Sequence, residues 1–128
     1  MSGREHVVKV IGVGAEFKKS ESGKLLLRIK ITAEVDGVKS DYIIAYSKRS
    51  RDNVTVGYAY AKADAPGGRE ADAERLAAMI KALTGVKPRI RRMENGKIVI
   101  ECGSEHLESF KRYAELADAI EKWLEEMS

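Results

Sequence analysis

The chain has 128 residues, 44% hydrophobic and 34% charged, with a net charge of +3. A chain of this length forms one domain with a core of its own, and this apolar content argues against disorder. One Cys excludes an internal disulfide, two His leave no histidine-rich metal site, and no run approaches the 18 or so apolar residues of a membrane span.

Residues 7–17 are rich in Val and Ile and alternate imperfectly, which predicts a first strand. A turn follows at Ser20-Glu21-Ser22-Gly23. Leu25, Leu27, Ile29, Ile31, Ala33 and Val35 then occupy every second position, the pattern of a half-buried strand. Asp36-Gly37 marks a tight hairpin, since both central residues of such a turn need positive φ. The return strand is expected at about 38–48. A basic turn, Arg49-Ser50-Arg51-Asp52, leads to a fourth strand at about 53–62. There Val54, Val56, Tyr58 and Tyr60 share one face, which the alternation assigns to the core. Thr55, Gly57, Ala59 and Ala61 share the other, small enough for close packing.

After Ala65-Pro66-Gly67-Gly68 the period changes. Leu76, Met79, Ile80 and Leu83 recur at helical spacing between Arg69 and Thr84, with acids in the first turns and Gly85 and Pro88 ending the helix. Short strands at about 88–93 and 97–102 flank Asn95-Gly96, a second hairpin signal. Ser104 is a candidate N-cap for a last helix to about 126, with an apolar stripe including Phe110, Tyr113, Leu116, Ile120 and Trp123. The prediction is a single α+β domain over 1–128. Its sheet is mostly antiparallel in the order β-β-β-β-α-β-β-α, with the helices on one face.

The charge is uneven. Residues 1–103 carry +7 and residues 104–128 carry −4. Two basic clusters lie in the sheet-forming part: Lys48, Arg49 and Arg51 in one turn, and Lys87, Arg89, Arg91, Arg92 and Lys97 around the second hairpin. On an open sheet face with Tyr58 or Tyr60 they would bind phosphates and stack bases. The competing reading makes them ion-pair partners on a heat-adapted surface. Gln is absent, only Asn53 and Asn95 carry side-chain amides, and Lys, Arg and Glu abound, a tendency of proteins from hot environments.

No motif supports catalysis, so an enzyme is not expected, nor a metal or cofactor. Gly12-Val13-Gly14 lacks a third glycine and a following helix. Cys102 shares the parity of Ile98 and Ile100 and reads as a buried thiol, and His106 reads as a surface residue of a first helical turn. The N-terminal apolar stretch, broken by Lys9, lacks the form of a signal peptide, so a cytoplasmic location is expected.

The segment from Arg51 to Cys102 (RDNVTVGYAYAKADAPGGREADAERLAAMIKALTGVKPRIRRMENGKIVIEC), the later EHLESFKRYAELADAIEKWLEE and the N-terminal KLLLRIKITAEVDGV resemble the paralogous-repeat (PaRep-type) proteins of hyperthermophilic archaea. This resemblance covers nearly the whole chain. It implies a heat-loving archaeal source and carries no activity. More distantly, the β-β-α-β-β-α order over about 38–126, with Leu83-Thr84-Gly85 before the basic hairpin, is similar to half of a LAGLIDADG homing endonuclease, which lays a basic sheet into DNA. The defining acid-tipped helix is missing. Ile31–Gly37 imitates its letters, but alternation makes that segment a strand, so no catalytic acid is transferred to Asp36.

The expected function is a small non-enzymatic nucleic-acid-binding module, with DNA the expected partner. Self-assembly is the alternative, as a homodimer through a strand edge or through surplus apolar surface on the last helix around Trp123. An inactive endonuclease-like remnant is the third reading, and it needs carboxylates such as Asp36, Asp41 and Asp52 to converge.

Overall fold

The computed structural model describes residues 6–21, 23–48 and 54–127. Among them the strands are β1 (Val8–Lys19), β2 (Leu25–Val35), β3 (Val38–Lys48), β4 (Thr55–Tyr60), β5 (Arg89–Arg92) and β6 (Ile98–Cys102). The helices are α1 (Gly68–Thr84), α2 (Ser104–Phe110) and α3 (Ala114–Met127). All strands form one antiparallel sheet in the order β1-β2-β3-β4-β6-β5. The α+β class and the antiparallel sheet agree with the prediction.

The β2–β3 turn has Asp36 at φ 51 and Gly37 at φ 84, the paired positive φ values that the sequence implied. The second hairpin differs from its prediction. Gly96 N–H donates to the Met93 carbonyl and Met93 N–H to the Lys97 carbonyl, so residues 93–96 form a longer loop in which only Gly96 is left-handed. Arg69 Nη1 donates to the Gly96 carbonyl at 2.8 Å and ties this loop to the start of α1.

The predicted last helix is two helices. Around 110–113 the bonds tighten: Arg112 N–H donates to the Ser109 carbonyl and Tyr113 N–H to the Phe110 carbonyl. The Tyr113 carbonyl then accepts from Leu116 and Ala117 and starts α3. The reason is angular. On one straight helix, the Leu107–Phe110 pair and the Leu116–Ile120–Trp123 set point about 145° apart. All five are buried, so the chain breaks and re-aims the second set at the core.

Packing explains which side of β4 faces inward. Leu27, Ile29, Ile31, Ile44, Tyr46, Ile100, Leu76, Met79, Phe110 and Trp123 are almost fully buried on the helix side. The Tyr46 ring lies over Gly57, where an added Cβ would stand 2.8 Å from its Cζ. The small side of β4 therefore faces the core.

The sheet also coils. Arg92 on edge strand β5 bonds Glu70, and His6, just before edge strand β1, lies 3.4 Å from Glu74. Glu70 and Glu74 are one turn apart on α1. A flat six-stranded sheet holds its edges about 24 Å apart. Here both edges reach the same side of one helix, so the sheet wraps α1, and among the described residues no helix packs on its opposite face.

Candidate nucleic-acid interface

Residues paired across an antiparallel ladder share a face, so the register defines the open face. One row crosses all six strands: Glu16, Arg28, Ala45, Tyr58, Glu101 and Arg89. A second row carries Tyr60, Val99 and Arg91. Lys9, Lys18, Lys30 and Lys39 share the face, so with the arginines basic groups outnumber Glu16, Glu34, Asp41 and Glu101. Several are paired: Arg91 to Glu101 at 2.9 Å, Arg28 to Glu16 at 3.7 Å and Lys30 to Asp41 at 3.9 Å. The Thr32 hydroxyl donates to Asp41 at 2.6 Å, and that bond holds the Asp41 carboxyl below its usual pKa.

Tyr58 and Tyr60 belong to this face, a correction of the expected core placement. Tyr58 is half-buried and Tyr60 is 61% exposed. Both sides of β4 are apolar enough to pass for a core face, and Tyr46 takes the small side. The tyrosines form one wall of a trough of about 550 Å³. Leu26 and Arg28 form the other wall, Ile43, Ala45 and Ser47 the floor, and Asp41 and Lys62 one end.

The predicted basic residues do not form one patch. Arg89 and Arg91 lie on the open face, and Lys97 is exposed beside the β5–β6 loop. Arg92 and Ile90 point the other way. Arg92 grips Glu70 with two bonds of 2.8 and 3.0 Å, which raise the arginine's pKa and lower the carboxyl's. Lys87 lines a groove over α1 on the helix side with Ala77, Ala78 and Ile90. Lys48 has the parity of Tyr46, also on the helix side, and is partly buried and engaged. Arg49 and Arg51 lie outside the described residues, as does Asp52. Alternation alone separates Arg92 from Arg89 and Arg91. The same argument assigns Arg28 and Lys30 to the open face of β2. Lys62 had no sequence signal, because its place depends on how β4 leaves the sheet.

A family model described as PaRep2b protein matches residues 6–128. The chain belongs to the PaRep2b family. The match spans every element from β1 to α3. No curated protein and no solved structure matches.

Two further reactive side chains of this PaRep2b chain, Cys102 and His106, lie in its interior. Cys102 is 1% exposed, and burial pushes its thiol up to about 12. His106 is buried, not a surface residue. Its Nδ1 accepts from the Gly103 N–H at 3.1 Å, which leaves Nε2–H to donate to the Val86 carbonyl at 3.1 Å. Asp36 sits in the β2–β3 turn, while Asp41 lies on the open face of β3. Among the described residues no group of three or more His, Cys, Asp or Glu could hold a metal, and no helix is long and apolar enough to cross a membrane. Trp123 is fully buried, and its Nε1–H donates to the Leu25 carbonyl at 3.2 Å, so it offers no surplus surface for a dimer.

Proposed function

We propose that this PaRep2b chain binds nucleic acid as a single strand across the open face of its sheet. The observation that carries this reading is the cross-strand row with Tyr58 between Arg28 and Arg89, and Tyr60 beside it. Arg28 and Tyr58 are two strands apart, about 10 Å. That spacing lets a base stack on a ring while neighbouring phosphates meet arginines. Exposed aromatics on a sheet favour unstacked bases over a duplex, whose bases are already stacked. Arg28, Arg89, Lys62 and Arg91 supply phosphate contacts, and Tyr58 and Tyr60 the stacking platform. Arg91 would exchange Glu101 for a phosphate.

The test is titration with single- and double-stranded DNA and RNA at about 50 and 200 mM salt. Single strands should bind more tightly, and affinity should fall steeply with salt. Replacing Arg28 and Arg89 with Ala should flatten the slope by about 0.7 per lost phosphate contact. Tyr60→Ala should weaken binding by about 1–3 kcal/mol without changing the slope. Absence of binding at the lower salt refutes the reading.

A second reading, self-assembly through β1, is favoured by that strand's position. Among the described residues β1 pairs only with β2, and Val10, Ile11 and Phe17 are 36–49% exposed along it. Light scattering decides this one: a monomer at high concentration removes it.

A further inference from the structure

At one end of the trough the sheet splits. The β3–β4 ladder runs from Lys48↔Thr55 to Ala45↔Tyr58 and stops, while β4 continues along β6 and β3 along β2. Lys62 stands across the wedge between them. Its Nζ donates to the Asp41 carbonyl at 2.9 Å, and its backbone N–H to Asp72 Oδ2 at 2.7 Å. Tyr42 and Asp72 line the inner end of the trough and are 3% and 1% exposed. Arg75, 8% exposed, joins them through Nη2, which lies 3.8 Å from Asp72 Oδ1 and donates to the Pro66 carbonyl. The Tyr42 hydroxyl, Asp72 Oδ1 and Arg75 Nε have no partner at full hydrogen-bond geometry, although Arg75 and Ser40 approach the Tyr42 hydroxyl closely enough to lower its pKa. Buried polar atoms are ordinarily paired, and an unpaired one bears its desolvation cost in full. The wedge thus holds one strong acceptor, one charged donor and one hydroxyl that serves either role. Burial, with Asp72 nearby, raises the Tyr42 pKa and keeps that hydroxyl protonated.

We propose that this wedge is a base-selecting subsite of the trough, taking the edge of a nucleobase that presents an exocyclic amino group beside an unprotonated ring nitrogen. Cytosine and adenine have that edge. The amino group donates to Asp72 Oδ1, and the ring nitrogen accepts from Arg75 Nε or the Tyr42 hydroxyl. Thymine and uracil flank their single N–H with carbonyl oxygens, which would face the Asp72 carboxylate. Access requires Lys62 to leave the Asp41 carbonyl, and a phosphate in the trough offers its ammonium a stronger acceptor. This subsite rests on the trough being a nucleic-acid site.

The experiment compares binding of fluorescent oligo-dC and oligo-dT, each about ten nucleotides, to the full chain. Both are pyrimidine tracts, so stacking differences are small. The dC tract should bind roughly five- to tenfold more tightly, the worth of one or two buried hydrogen bonds. Tyr42→Phe removes a buried hydroxyl that no partner meets at full hydrogen-bond geometry, so it should leave the thermal midpoint unchanged or higher while reducing the preference at least about twofold. Tyr60→Ala should weaken both tracts equally. Equal binding of dC and dT overturns the subsite and leaves the trough reading intact. An undiminished preference in folded Tyr42→Phe also overturns the subsite. Binding to neither tract overturns both.

Discussion

At the residue scale the clearest constraint is the contact between Tyr46 and Gly57. The ring is fully buried, packs 6.5 Å from Trp123 by centroid, and donates its hydroxyl to the Gly103 carbonyl. It has no room to retreat from a new methyl group. Gly57→Ala should therefore cost about 1–3 kcal/mol, read as a lower urea midpoint at unchanged m-value. Cys102 supports a second prediction. Its thiol ionises only near 12 and is shielded from solvent, so alkylating reagents at about pH 8 should modify it no faster than the protein unfolds. Asp41 and Glu70 have depressed carboxyl pKa values in the folded state, through Thr32 and Arg92 respectively. Their contributions are present above the ordinary carboxylate range near 4 and are lost as pH falls through the folded values. Both groups are exposed, so the effect is small. Glu70→Gln should slightly flatten the fall in melting temperature between about pH 6 and pH 3.

At the element scale, the last helix is the instructive case. Tyr113 closes the break by donating its hydroxyl to the Leu83 carbonyl at the end of α1. Phe110→Ala should cost about 3–5 kcal/mol, because it empties a fully buried site where α2 meets the core. Denaturant unfolding measures this directly. The strands were legible because Leu25–Val35 alternates with Leu26 as the one exception and Asp36-Gly37 permits little else. The break in the last helix was legible too, in the angle between its two apolar sets, although the stripe read as continuous. The orientation of β4 was not legible. Val56, Tyr58 and Tyr60 look like a core face until Tyr46, from a neighbouring strand, occupies the space over Gly57. Of the candidate site, the parity of Arg89 and Arg91 could be read in advance. The wedge at Lys62 and Asp72 could not, since it depends on where one ladder stops.

At the scale of the whole molecule, the sheet carries most of its basic groups on the face turned away from the acidic helices α2 and α3. The uneven charge of the sequence thus becomes a two-sided particle. At low ionic strength, the open face should draw polyanions at rates that fall with added salt, which stopped-flow measurements can follow. Part of the sheet's helical cover, α3, comes late in the chain. Trp123 closes over Leu25, 98 positions away in sequence, and α3 packs on β1 and β2. At about 5–20 residues per second, Leu25 leaves the ribosome roughly 5–20 s before Trp123 is made. For that interval Leu27, Ile29 and Ile31 have at most α1 to cover them, and the part of β2 that α3 packs on stays bare. A chain truncated before α3 should therefore aggregate when translated alone, and the nascent protein is expected to depend on whatever holds such surfaces apart in its cell.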